Sequence, residues 1–243
     1  ALVVQSENDG NHCIEADGIG SYSSLDQATK DDFIARGLNS APTINNLTCI
    51  VSANEGGTHS DGSGWRLREG IHPVINDSLV ISTFGANDVS DPVDNYCLRI
   101  DSSEPQDAAV NGDLQLNQVI FACQEPSRGN AIGAFPDEQA WAESEGNQFA
   151  TVADGVATDP TVAADADLQL LEVSLAEPPI YSIAWATSLV DGLTPVATTA
   201  PSAGDFLGGI DATTPWASGW TYGIFDGVDS NGNPTRGQPL WFE

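Results

Sequence analysis

One segment recurs three times in the first half of the chain, so any fold must give its copies equivalent surroundings. Pro42-Thr-Ile-Asn-Asn-Leu-Thr-Cys-Ile-Val-Ser52 aligns without gaps on Pro73-Val-Ile-Asn-Asp-Ser-Leu-Val-Ile-Ser-Thr83, and the frame returns at Leu114-Gln-Leu-Asn-Gln-Val-Ile-Phe-Ala-Cys123. Each copy sets an apolar residue (Ile44, Ile75, Leu116) before an asparagine (Asn45, Asn76, Asn117), and four residues later comes Cys49, Val80 or Phe121. Asparagine tolerates the backbone angles of a bend and carries both donors and acceptors, so a column of asparagines can hydrogen-bond from copy to copy. A second strand type alternates with the first: Cys13-Ile-Glu-Ala-Asp-Gly18, Trp65-Arg-Leu-Arg-Glu-Gly70 and Tyr96-Cys-Leu-Arg-Ile-Asp101. Runs this short, bounded by Gly, Asn, Asp and Pro, read as strands. Ile14, Leu67 and Leu98 are expected to form one inward column, with Glu15, Arg68 and Arg99 beside it as a charge-paired ladder.

Two strand types recur in order, with 31 and 41 residues between successive asparagines. This predicts a mainly β chain whose residues 1–126 stack as coils of a solenoid, because one coil cannot bury its own apolar face and stacked coils can. The competing arrangement places the asparagines at ordinary turns of a β-sandwich. Ser24-Leu-Asp-Gln27 has capping-box form and opens an amphipathic stretch to Gly37, which predicts a helical insertion over 24–37. Pro136–Glu145, with proline and acids in its first turn, predicts a second short helix. Residues 127–243 are expected to form a further coil and a loop-rich capping region, with Thr151–Asp167 as a surface loop. There Asp167–Pro178 echoes Asp113–Pro126, and Ile132-Gly133 with Trp141-Ala142 is matched by Leu207-Gly208 with Trp216-Ala217.

The phrases NHCIEADG (11–18), TINNLTCIVS (43–52) and GSGWRLREG (62–70) resemble the right-handed parallel β-helix region of large secreted or surface proteins of bacteria. The tail DFLGGIDATTPWASGW (205–220) resembles the closing segment of the same group. The resemblance covers roughly residues 1–126 and implies a right-handed parallel β-helix. It implies no one activity, because such folds carry lyases, adhesins, passenger stalks and passive scaffolds alike.

Seven Lys plus Arg stand against 35 Asp plus Glu, a formal charge of −28, which argues against nucleic acid as a partner and suits salty or calcium-bearing surroundings. No apolar run approaches the ~18 residues of a membrane span. The chain begins at Ala1 without methionine, which reads as a mature chain whose export signal has gone. Cys13, Cys49, Cys97 and Cys123 lie outside any CxxC pair. Two disulfides in an oxidising, extracellular compartment are expected, with pairing left open and buried thiols as the alternative.

Chemistry-bearing residues are few. Asp226, Asp229, Asn231 and Asn233 offer oxygen donors at loop spacing for calcium, although Pro234 and Leu240 depart from the EF-hand pattern. Weaker candidates are the loops Asn87–Asn95 and Asp159–Asp167. His59 and His72 are an alternative pair for copper or zinc, without a third ligand in a recognised spacing. Arg66, Arg68 and Arg99 beside Glu15, Asp17, Glu69 and Asp101 could serve a polysaccharide lyase, but an acidic protein repels acidic polysaccharides and a ladder explains the same pattern. Trp141, Trp185, Trp216, Trp220, Tyr222, Trp241 and Phe242 could stack on sugar rings, with Trp141 and Trp216 better read as core. Ala1–Gly10 matches only the second half of the asparagine repeat, so the chain is expected to start partway through a coil. Leu2, Val3 and Val4 at one end, and Leu240, Trp241 and Phe242 at the other, are then candidates for head-to-tail assembly into filaments. The expected function is that of a nonenzymatic structural or adhesive protein, secreted or at the cell surface. A carbohydrate-binding or polysaccharide-cleaving protein and a surface metal-binding protein are the alternatives.

Overall fold

The computed structural model describes residues 1–4, 12–51, 63–82, 96–123, 125–153, 156–158, 173–174, 180–181 and 208–209. In chain order these hold β1 (Leu2–Val4), β2 (His12–Asp17), a 3-10 turn (Tyr22–Ser24), α1 (Gln27–Ala35), β3 (Thr43–Asn45), β4 (Thr48–Val51), β5 (Ser63–Arg68), β6 (Val74–Asn76), β7 (Leu79–Ser82) and β8 (Tyr96–Ile100). There follow α2 (Ser103–Asn111), β9 (Gln115–Asn117), β10 (Ile120–Cys123), β11 (Glu125–Ser127), α3 (Glu138–Ser144), β12 (Gln148–Ala153), β13 (Val156–Thr158), β14 (Val173–Ser174) and β15 (Ile180–Tyr181). One sheet runs β1-β4-β7-β10-β12-β13, a second β11-β8-β5-β2 and a third β3-β6-β9, all parallel except for antiparallel β13; β14 and β15 form a separate antiparallel pair.

This arrangement overturns the expected right-handed parallel β-helix, and with it the resemblance that implied it. The described residues form three separate parallel sheets of six, four and three strands with three helices, a mixed α/β arrangement in which no single solenoid is indicated. The reason lies in the connections. α1 stands between β2 and β3, α2 between β8 and β9, and α3 between β11 and β12, while β13 turns back to end the largest sheet. Short repeats specify which strands pair; they leave the intervening segments free to do something else.

Within the sheets the repeat does set register. Asn45, Asn76 and Asn117 are direct partners, and their amides form a directional ladder: Asn117 Nδ2 donates to Asn76 Oδ1 at 2.8 Å, and Asn76 Nδ2 to Asn45 Oδ1 at 2.7 Å. The left-handed backbone falls one residue later than expected, on Asn46 (φ 53), Asp77 (φ 48) and Gln118 (φ 57), so the asparagine closes the strand and its successor makes the bend.

The charged strands pair with one correction. The inward row is Ile14, Trp65 and Leu98, followed by Ala16, Leu67 and Ile100, and the outward partners are Glu15, Arg66 and Arg99. The expected column was two residues out on β5. A slip of two keeps every side chain on its proper face, so alternation alone cannot detect it.

The sheets share one core. Trp65 packs edge-on to Phe121, with centroids 5.3 Å apart, and Phe121 stacks on Phe149 at 4.7 Å. Cys13–Cys49 and Cys97–Cys123 are disulfides with Cα atoms 5.9 and 5.6 Å apart, each joining the four-stranded sheet to the six-stranded one. Gly64 is needed where these sheets meet: a Cβ there would lie 2.3 Å from Val80 Cγ1 and 2.6 Å from the Cys97 carbonyl oxygen.

Helix boundaries follow local capping. α1 is capped by Asp26, whose carboxylate accepts from Thr29 N–H at 2.8 Å, so the Ser24 capping box is not the one used. No residue of α1 is buried. α3 matches the second expected helix and is capped by Asp137, which accepts from Ala140 N–H at 2.7 Å. α2 was not anticipated, although Glu104 in its first turn and left-handed Gly112 at its end are ordinary boundary signals. Part of the expected loop after Thr151 is instead the β12–β13 hairpin.

Candidate functional site

Alternation along the four-stranded sheet places its charges on one face, and four of the chain's seven Lys and Arg residues gather there: Arg66, Arg68, Arg99 and, just after β11, Arg128. Arg66 reaches Glu15 at 3.3 Å and Asp101 at 3.0 Å; Arg68 reaches Glu15 at 3.1 Å and Asp17; Arg99 reaches Asp101. Tyr96 is buried beneath the edge of this network, its hydroxyl accepting from Arg99 at 3.3 Å and Arg128 at 3.1 Å. Both guanidinium groups also lie against its ring, at 5.8 and 5.3 Å from the centroid. Burial pushes the Asp101 carboxyl up, but Arg99 and Arg66 outweigh it and hold the group below the usual carboxylate range. Arg68 is pushed up chiefly by its hydrogen bond to Asp17.

This face is a ladder of satisfied charge pairs. Guanidinium groups stay protonated and here each engages carboxylate or phenol oxygens, so the face offers charge complementarity rather than a free base.

Two further carboxylates hold elements together. Glu104 on α2 is 6 % exposed; it accepts from the Tyr22 hydroxyl and, at 3.2 Å, from Gln27 Nε2. Burial pushes Glu104 up, but Tyr22, a backbone N–H, Gln27 and Lys30 together bring it below its ordinary value. Burial and then Glu104 push the Tyr22 phenol up to about 12. Lys30 sits 3.5 Å over the Tyr22 ring, and Gln27 of α1 and Tyr22 just before it both hydrogen-bond to Glu104 of α2. Glu138 on α3 is fully buried and accepts from the backbone N–H groups of Ile100 (3.3 Å), Gly129 (2.8 Å) and Asn130 (2.8 Å). Burial raises its carboxyl despite these donors. Neither residue was singled out from sequence, because both are acids among 35 and only the fold buries them.

Of the residues singled out from sequence, the four cysteines meet as two pairs. His72 is half-buried; burial pushes its imidazole below the ordinary value against a weaker pull from Asp113, and its Nε2 has no hydrogen-bond partner. His59, the calcium loop with Asp226, Asp229, Asn231 and Asn233, the loops 87–95 and 159–167, and Leu240, Trp241 and Phe242 lie outside the described residues. So do Trp185, Trp216, Trp220 and Tyr222. No group of three metal-ligating side chains occurs among the described residues. Trp141 is 1 % exposed and belongs to the core, as its repeat suggested. Leu2, Val3 and Val4 pair with Thr48, Cys49 and Ile50 in β4, with Val3 partly packed on the core. Among the described residues no helix is long and apolar enough to cross a membrane. Compared with known proteins, the chain matches no family model, no curated protein and no solved structure.

Proposed function

We propose that the protein is a nonenzymatic structural or adhesive component, secreted or at the cell surface. The observation that carries this reading is that the chemistry-bearing side chains of the described core are spent on holding it together. The cysteines join sheets, the asparagines form a ladder, and the arginines pair with carboxylates. Two disulfides fit an oxidising compartment. A structural role would take the form of association between copies, and among the described residues β1, carrying Leu2, Val3 and Val4, is the end strand of the largest sheet, a place where another strand could add. Calcium at Asp226, Asp229, Asn231 and Asn233 would then serve stability rather than catalysis.

Sedimentation and electron microscopy of the non-reduced full chain test the reading, with metal analysis and a glycan array alongside. Concentration-dependent association, abolished by deleting residues 239–243, is the expected result. A chain that stays monomeric at high concentration sinks the assembly, and a tight glycan hit or stoichiometric copper would replace the reading by the carbohydrate or the metal one.

A further inference from the structure

Residues 19–39, which carry the 3-10 turn and α1, leave and rejoin the body of the molecule at almost one point. Ser40 N–H donates to the Gly18 carbonyl at 2.8 Å, Asn39 Nδ2 donates to the Gly70 carbonyl at 2.8 Å, and the Ser40 carbonyl accepts from His72 N–H at 2.9 Å. Gly18 is pinned in place, since a Cβ there would lie 2.1 Å from the Gly70 carbonyl carbon. At this root Ile19 is 1 % exposed and, with Ile34, lies against Gly70. Beyond the root little apolar surface is covered: Phe33 and Ile34 are half-buried and no residue of α1 is buried. A segment with closely tied ends and a thin apolar base can open without the sheets unfolding.

What holds this segment shut is concentrated on one group. Among the described residues, the hydrogen bonds from residues 20–38 to the rest of the molecule run to the start of α2. There the Glu104 carboxylate accepts from the Tyr22 hydroxyl and from Gln27 Nε2, and the Ser102 hydroxyl lies beside the same phenol. The segment's other side-chain hydrogen bonds are internal: Ser24 to Ser21, Thr29 to Asp26, Gln27 to Asp31 and Arg36 to Asp32. The titratable and charged groups facing this contact are Tyr22 and Lys30 from the segment and Glu69 after β5. We infer that residues 19–39 form a flap latched by Glu104, which opens as a unit on acidification while the disulfide-tied sheets stay folded. The sign follows from the closed state, where Glu104 lies below its ordinary value. The latch is at full strength above the ordinary Glu range and is lost as pH falls through that lowered value. The flap is independent of the structural or adhesive reading and stands whether or not copies associate.

Amide exchange followed by mass spectrometry on the full non-reduced chain tests the flap, with protection read at residues 27–35 and, as internal reference, in β5 and β8. At neutral pH Glu104→Ala should lower protection in α1 about tenfold or more, as the loss of two hydrogen bonds to a carboxylate implies, and leave β5 and β8 unchanged. Glu104→Gln, which keeps an acceptor for Tyr22 but no charge, should fall between. In the unaltered chain, lowering the pH from about 7 to 3 should strip protection from α1 before β8. Asp26 caps α1 and is an acid too, so the same titration is repeated on Asp26→Asn, which keeps a capping oxygen without the carboxyl. Three results would overturn the inference: unchanged α1 protection in Glu104→Ala, loss of α1 protection only in step with β5 and β8, or acid opening that disappears in Asp26→Asn.

Discussion

Asn76 is the middle rung of the amide ladder, donating to Asn45 and accepting from Asn117. Asn76→Ala leaves both neighbours without their partner and should cost about 2–3 kcal/mol in urea unfolding, roughly the sum of two hydrogen bonds in a partly buried setting. A cost near zero would show that water replaces the rung. Glu138 raises a question of sign. Its folded pKa lies above the unfolded one, so the stability this carboxyl contributes is fully present below the ordinary Glu range and is lost as pH rises through the folded value. Glu138→Ala strands three backbone donors and should cost about 3 kcal/mol or more, with the penalty shrinking as pH is raised from about 4 to 8. A penalty that grows with pH would mean that the donors outweigh burial. The rungs could be read from the repeat because each copy carries one; Glu138 could not, because nothing local marks a buried acid.

At the level of elements, the two disulfides tie the same pair of sheets across sequence separations of 36 and 26 residues. Loop entropy alone gives each about 3.5–4 kcal/mol, so Cys13→Ser with Cys49→Ser should lower stability by slightly more than Cys97→Ser with Cys123→Ser. The first pair has a spectroscopic signature. Trp65 Nε1 lies 3.2 Å from Cys49 Sγ, and a disulfide at that range quenches indole emission. Removing Cys13–Cys49 should therefore brighten the protein, and unchanged emission would place Trp65 elsewhere. Gly64→Ala forces a methyl into the Val80 side chain and the Cys97 backbone, and a loss of about 2–4 kcal/mol is expected by thermal unfolding, within the range for overpacked cores and buried polar strain. The strands were legible as elements because apolar, Asn and Gly positions recur. α2 is not legible from the repeat, because its boundary signals, Glu104 and Gly112, lie between the repeated segments and have no counterpart in the other copies.

For the whole molecule, 28 uncompensated negative charges oppose compaction, and four of the seven positive ones are held on one sheet face. Self-repulsion between exposed carboxylates is screened by salt, whereas the partly buried ladder is screened much less. The melting temperature should therefore rise between about 0.05 and 1 M NaCl, where the Debye length falls from beyond 10 Å to about 3 Å. A melting temperature that falls with salt would make the arginine ladder, not the acidic surface, the dominant electrostatic contribution.

Strand identity, the asparagine register and the existence of cysteine pairs were determined by the sequence alone, because each depends on residues a few positions apart or on a repeat that brings equivalent residues together. The tertiary structure decided what those local rules leave degenerate. It chose between rows two residues apart on β5, where both choices keep the inward face and only the volume of Trp65 beside Phe121 distinguishes them. It paired Cys13 with Cys49 and Cys97 with Cys123 out of three possible connectivities. It divided the strands among three sheets with helices between them instead of one solenoid, because the course of a connection is settled by what it can bury and hydrogen-bond. The Glu104 and Glu138 contacts, which no short stretch of sequence contains, belong to the same long-range layer of structure.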